Sequence, residues 1–285
     1  MSHGPTYVPL WDDESYNKNR LKSFTDLSPL PIFVGTREEF FEARQKKAKS
    51  SASIASVTVF CCSLPLVALV LCVFSSIYYD FEKVTKTHCL VYNFLPSISA
   101  AIGDSDSARN IWRLFIFAHI LPRYVACIAY LNFFTHSPYS SGRQNCVFTI
   151  ATVSTVAFNF FELNSLLLLT IFTSNEHHGL HVFGFSAFQV CALAYMISHV
   201  VLFKKSGRYL SGRLARRSHR FKRKCLYASV LLLGLCTYLY YRHNKYCEPF
   251  VFSAFAFFEY LLVVANVLFH STIRFDLVGQ FMILG

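Results

Sequence analysis

Six apolar runs, each near 20 residues, dominate the chain, and each is long enough to cross roughly 30 Å of hydrocarbon. They fall at 54–78, 110–133, 147–173, 180–203, 225–241 and 250–270, the fifth being the shortest. Hydrocarbon offers a peptide group no water, so each run must satisfy its backbone within itself, as a helix. The expected fold is therefore all-α: a polytopic membrane helix bundle with six transmembrane spans. Charged residues make up 15% of the chain against about 25% in soluble domains. Two soluble domains, a disordered chain and a collagen-like chain are excluded.

The net charge of +11 suggests nucleic acid until its location is considered. Ten basic residues and no acid lie in 204–224, between spans four and five. Short basic segments between apolar spans stay in the cytosol, which places both termini on that side because the span count is even. Arg44, Lys46, Lys47 and Lys49, just before span one, agree with this orientation. The segment reads either as a topology signal or as a site for anionic lipid heads, at about 1 kcal/mol per basic residue near the surface. It offers few aromatic residues for base stacking, so no nucleic acid partner is expected. Residues 1–53 are polar and contain no signal-peptide core, so the sequence predicts a cytosolic, disordered tail with room for a short helix at 37–49. The remainder, 54–285, is the six-span membrane domain with its basic loop at 204–224.

Most of the ten cysteines lie inside apolar spans, where the thiol behaves as a small hydrophobe. Cys89 and Cys247 alone fall in the connections on the non-cytosolic side. In an oxidising lumen they can join as a disulfide; otherwise they are two unpaired thiols beside a polar surface. No Cys-x-x-Cys pair and no His-Glu-x-x-His string is present, so no metal is expected. Cys61 and Cys62, near the cytosolic end of span one, are candidates for palmitoylation.

An ionisable group in hydrocarbon costs about 2.5–3.5 kcal/mol, so each needs a reason. His119 and Arg123 share a face of span two, and Asn159 and Glu162 a face of span three. Glu259, Asn266 and His270 form one stripe along span six. Counting about 1.5 Å per residue puts Arg123 and Glu162 within about 5 Å of one depth. An ion pair between them is the economical explanation, because a buried charge without a partner is strongly destabilising. A direct role in substrate binding or transport is the alternative.

The non-cytosolic rim is richer in polar groups. His88, Glu176, His177, His178 and His181 share it with Arg242, His243, Asn244, Lys245, Tyr246 and Glu248. Histidine beside carboxylate suits general acid–base work near neutral pH. Arg242 and Lys245 suit a phosphate.

Specific strings occur in order through the same segments. Thr87-His88-Cys89 precedes Leu95-Pro96-Ser97 with Ala101-Ile102-Gly103, Trp112-Arg113 and Pro122-Arg123. Glu162, Glu176 and His181 follow, and then Arg242-His243-Asn244, Tyr246-Cys247-Glu248, Phe258-Glu259-Tyr260, Asn266 and Phe269-His270. Together, over about 54–276, they resemble the post-GPI-attachment-to-proteins factor 2 family within the Frag/DRAM/Sfk membrane group. The long polar tail, the strongly basic 204–224 segment and Pro249-Phe250 depart from its pattern.

The resemblance implies lipid remodelling of GPI anchors in the Golgi membrane, with the endoplasmic reticulum membrane as a second location. The family's step gives a saturated fatty acyl chain to the glycerol 2-hydroxyl of a lyso-GPI-anchored protein at the lumenal leaflet. On that implication His243 or His181 is the general base, oriented by Glu248 or Glu176, and His88 is a further candidate. Arg242 would hold the inositol phosphate, and Asn244 and Tyr246 would position the hydroxyl or oxyanion. Arg123, Glu162 and Glu259 are candidates for substrate contact. No bound cofactor is expected; the acyl donor, acyl-CoA or a phospholipid, is a co-substrate. The absence of a Gly-x-Ser-x-Gly string argues for direct transfer rather than a covalent acyl-enzyme. The competing readings are a non-catalytic protein that presents lyso-GPI to a separate acyltransferase, and a transporter. The second is weakened by the lack of internal repeats.

Overall fold

The computed structural model describes residues 54–135, 137, 146–210 and 212–277. The tail, including the short helix expected at 37–49, and most of the 135–146 connector lie outside the described residues. Six helices are long and apolar enough to cross a membrane. They are α1 (Ile54–Thr85), α3 (Asp106–Thr135), α4 (Cys146–Ile171), α5 (His178–Lys205), α6 (Arg213–Tyr246) and α7 (Val251–Ser271). Two short helices, α2 (Ile98–Asp104) and α8 (Ile273–Asp276), lie at opposite ends. No strand occurs among the described residues.

The helices contact one another in chain order, and α1 meets α7 to complete the circuit. Their outer faces carry exposed Phe60, Val70, Phe74, Leu121 and Leu231. Water would penalise such a surface at about 25 cal/mol per Å², whereas acyl chains would not. Pro65 and Pro122 lie within α1 and α3, as membrane helices tolerate. Near its rim end α1 breaks at Asp80, whose backbone leaves the helical region at φ −132°.

The basic segment is not a loop over most of its length. From Arg213 it forms the first turns of α6, after Gly212 turns the chain with φ 148°. Lys222 points inward and pairs with Asp276, whose carboxylate also accepts from Ser218 Oγ at 2.6 Å and Tyr130 Oη at 2.8 Å. Lys204, Lys205, Arg213, Arg216, Arg217, Arg220, Arg223 and Lys224 stay exposed. Cys61 and Cys62 are buried, which removes them as palmitoylation sites in this conformation.

At the other end, the rim, the 86–97 loop is strapped to α6 and α7. Cys89 and Cys247 are joined as a disulfide with their Cα atoms 5.2 Å apart. The Phe250 N–H donates to the Tyr92 carbonyl at 3.0 Å. Ser253 Oγ accepts from the backbone N–H groups of Phe94 and Leu95 at 2.8 and 3.2 Å. Ser97 then caps α2, its hydroxyl accepting from the Ala100 N–H at 3.1 Å.

Candidate active site at the rim

His181 sits in the first turn of α5, after the turn at 172–177. Its Nδ1 lies 2.9 Å from the Phe172 carbonyl oxygen, and its Nε2 lies 2.8 Å from Ser99 Oγ. A carbonyl oxygen only accepts, so in the neutral ring the proton is on Nδ1 and Nε2 presents a lone pair. Ser99 therefore donates to it. His181 is 6% exposed, and Ser99 is half-buried. The Ser99 carbonyl also accepts from Ser174 Oγ at 3.4 Å, so backbone and side chain are both held. Gly103 lets α2 come this close: a Cβ there would lie 2.8 Å from Ser174 Oγ.

Glu176 does not orient a histidine. It closes its own turn, accepting from the Thr173 N–H and hydroxyl, both at 3.1 Å, and from Arg113 at 3.2 Å. The Thr173 N–H, chiefly, with the Thr173 hydroxyl and Arg113, holds its carboxyl below the ordinary value although partial desolvation opposes this. Arg113 also donates to the carbonyls of Thr170 and Ile171 at 3.2 and 2.8 Å, fixing the end of α4. The turn that carries the Phe172 carbonyl is thus built by side chains that do not themselves reach Ser99.

Glu259 of α7 is buried and accepts from the Ile98 N–H at 2.9 Å. The neighbouring Tyr260 hydroxyl donates to the Pro96 carbonyl. Tyr260 also lines an apolar groove of about 490 Å³ with Leu69, Val70, Val73, Phe74, Ile77 and Tyr78 of α1. Pro96 and Ser99 are three residues apart, so the residue that Tyr260 holds lies within about 11 Å of the serine along the chain.

A second group surrounds the disulfide. His243 is fully buried, packed edge-on to His88 at 5.6 Å and against Phe252 at 5.0 Å, and neither ring nitrogen has a hydrogen-bond partner. Glu248 serves Arg242 instead of a histidine, in a fork with bonds of 2.7 and 2.9 Å. Arg242 also reaches Tyr238 Oη at 3.0 Å. Asn244, Lys245 and Tyr246 are exposed. His88 is exposed and lies near both sulfurs. These sulfurs are bonded to each other, so they offer no thiolates and the trio does not fit a metal.

Between the ends lies a buried polar cluster. Arg123 and Glu162 approach to 3.6 Å. Asn159 accepts from Arg123 at 2.9 Å, Asn266 donates to Glu162 at 3.1 Å, and His270 Nε2 lies 3.0 Å from each charged partner. His119 donates from Nδ1 to the Cys61 carbonyl at 2.7 Å, leaving Nε2 to face Arg123 at 3.4 Å.

With this arrangement in view, the family model described as the Frag1/DRAM/Sfk1/Cwh43P N-terminal domain matches residues 53–279. The chain belongs to this family. A Caenorhabditis elegans relative named Post-GPI attachment to proteins factor 2 is 40% identical over 78% of this chain and 84% of its own. A Xenopus tropicalis relative named Acyltransferase PGAP2 is 38% identical over 75% of this chain and 83% of its own. A Drosophila melanogaster relative named Post-GPI attachment to proteins factor 2 is 33% identical, covering 78% and 85%. No solved structure matches the chain.

In this Frag1-family chain the candidate residues thus fall mainly into three sets, with Glu259 apart from them against α2. His181 and Glu176 share the 172–181 turn; His88, His243, Arg242 and Glu248 surround the disulfide; Arg123 and Glu162 lie in the bundle. Among the described residues, no hydrogen bond or ring contact joins His181 to His243. Ser99 and the groove escaped sequence reasoning. Ser99 lies 82 residues from His181, and its only local signal is the Leu95-Pro96-Ser97 string that starts α2.

Proposed function

We propose that this protein is a membrane acyltransferase of GPI-anchor remodelling. It passes a saturated fatty acyl chain to the glycerol 2-hydroxyl of lyso-GPI-anchored proteins at the lumenal leaflet of the Golgi membrane. The observation that carries the reading is His181, with its tautomer held by the Phe172 carbonyl and Nε2 facing a hydroxyl that Pro96 and Tyr260 connect to an apolar groove. Acyl transfer needs a base for a hydroxyl proton, and a fixed lone pair supplies one. It also needs a place for an acyl tail, and the groove between α1 and α7 opens sideways toward lipid. The Xenopus tropicalis relative's name, Acyltransferase PGAP2, supports the same chemistry.

His181 is favoured over His243 as the base because its Nε2 meets a side-chain hydroxyl, whereas the fully enclosed His243 ring meets none. Glu259 and Tyr260 act as positioning residues through α2. Arg242, Asn244, Lys245 and Tyr246 lie at the rim, where a headgroup phosphate and glycan would sit. The basic end faces the cytosol in this reading, and its eight exposed cations meet anionic lipid heads.

The test is reconstitution in liposomes with lyso-GPI and either a labelled phospholipid or a labelled acyl-CoA. Wild-type protein is expected to form diacyl product from one donor, and His181→Ala is expected to lower the rate by on the order of 10²–10⁴-fold. A folded His181→Ala protein with undiminished rate would remove His181 from the chemistry. Retained lyso-GPI binding with no product from either donor would instead make the protein a presenter.

A further inference from the structure

We infer that Ser99 is the nucleophile of a two-step transfer and carries the acyl chain covalently between donor and acceptor. The inference rests on the acyltransferase reading and reverses the expectation of direct transfer. Ser99 Oγ, His181 Nε2, His181 Nδ1 and the Phe172 carbonyl form a continuous chain of hydrogen bonds, 2.8 and 2.9 Å long. An activated nucleophile has this arrangement: a hydroxyl on a base whose far side is oriented by a third group. Here the third group is a main-chain carbonyl rather than a carboxylate. It fixes the tautomer as a carboxylate would, while the nearby acid, Glu176, holds the turn that presents the carbonyl.

Three nearby serine hydroxyls are occupied differently. Ser97 Oγ caps α2, Ser253 Oγ receives two backbone N–H groups, and Ser174 Oγ donates to the Ser99 carbonyl. Ser99 alone among these four bonds to an imidazole. It is also half-buried, whereas Ser97 and Ser253 are almost fully enclosed. Pro96 and Tyr260 connect it to the groove wall, which gives a long tail extending from a Ser99 ester an apolar surface to follow.

In the first step Ser99 Oγ attacks the carbonyl carbon of a phospholipid ester or an acyl thioester. Its proton passes to His181 Nε2 and then to the departing oxygen or sulfur as the old acyl bond breaks. In the second step the acceptor's glycerol hydroxyl attacks the Ser99 ester and gives its proton to the same Nε2. Ser99 Oγ leaves and regains that proton. No electrons are exchanged and no further reactant is required.

The experiment uses full-length protein in vesicles of distearoyl phosphatidylcholine, or with stearoyl-CoA, without lyso-GPI. Intact-mass and peptide analysis is expected to find a stearoyl ester on the peptide holding Ser99, with one donor, and lyso-GPI is expected to discharge it as diacyl product. Ser99→Ala is expected to lose both the adduct and at least about 10³-fold in product. Ser99→Cys provides a second handle, since a trapped thioester is released by neutral hydroxylamine whereas an oxygen ester resists. An intact Cys89–Cys247 bridge and an unchanged melting temperature establish that the variants are folded. Product formed at wild-type rate by Ser99→Ala, or wild-type turnover with no adduct and no thioester on the Ser99→Cys variant, would overturn the covalent step and leave the acyltransferase reading standing. No product and no adduct in wild-type protein would overturn both.

Discussion

Arg123 and Glu162 face each other at 3.6 Å in the interior of the bundle, 3% and 1% exposed. Coulomb attraction offsets the loss of hydration only because Asn159, Asn266, His119 and His270 supply further hydrogen-bonding partners. Removing one charge strands the other. Arg123→Met or Glu162→Gln alone is expected to lower stability by about 3–5 kcal/mol, while Arg123→Met with Glu162→Met recovers part of the loss. Thermal unfolding in detergent measures all three. A single substitution within about 0.5 kcal/mol of wild type would show the pair to be hydrated or dispensable.

The Cys89–Cys247 bridge spans 158 residues of sequence, which in a soluble chain would place it high in the usual range for loop closure. Membrane insertion already holds both segments at one surface, so the bridge restricts the unfolded ensemble less. Cys89→Ser is expected to lower stability toward the low end of about 2–4 kcal/mol. It also frees Cys247 for a membrane-impermeant maleimide applied from the side opposite the basic segment. Labelling of Cys247 itself from the cytosolic face would reverse the proposed orientation.

Glu176 predicts a dependence on pH with a defined sign. Its carboxyl is held below the ordinary 4.5 by the Thr173 N–H first and by the Thr173 hydroxyl and Arg113. A depressed carboxyl stabilises the turn fully above that ordinary value, and the contribution is lost as pH falls through the lower folded value. Amide exchange at Thr173, corrected for intrinsic rate, is expected to rise on acidification below about 4.5. Glu176→Gln should exchange faster at neutral pH and lose the acid dependence. Equal exchange in both proteins would mean that the carboxylate does not hold the turn.

The six spans were legible because bilayer thickness imposes a length and hydrocarbon imposes composition, so hydropathy alone locates α1 and α3 through α7. The Arg123–Glu162 pairing was legible for a related reason, since unpaired charges at one depth leave few solutions. Ser99 was not legible. It joins His181 only when α2 folds back under α7, and nothing local in Ser97-Ile98-Ser99 distinguishes a cap from a partner for an imidazole. The division of labour between Glu176 and Glu248 was equally hidden: each lies near a histidine in sequence, yet each is taken by an arginine, Arg113 and Arg242.

Lys222 and Lys224 show the same limit within one basic run. Sequence treats them alike, but Lys222 is fully enclosed against Asp276 while Lys224 is exposed. Lys222→Met is expected to cost about 3–5 kcal/mol by leaving the Asp276 charge buried and unpaired. Lys224→Met should stay within about 0.5 kcal/mol. Parallel melts of the two variants decide it, and equal losses would place Lys222 at the surface.

The groove makes a prediction about chain length rather than rate. Val73 and Tyr260 line it from opposite helices, α1 and α7, and its remaining lining is apolar. If the transferred chain lies there, Val73→Trp fills part of the 490 Å³ and shortens the longest chain that fits. Competition between labelled donors of different chain length is expected to shift toward shorter chains in Val73→Trp, with turnover of the shortest donor close to wild type. Tyr260→Phe keeps the volume but loses the bond to Pro96, so it should lower the rate for all chain lengths alike. An unchanged chain-length profile in Val73→Trp would mean that the acyl tail lies elsewhere.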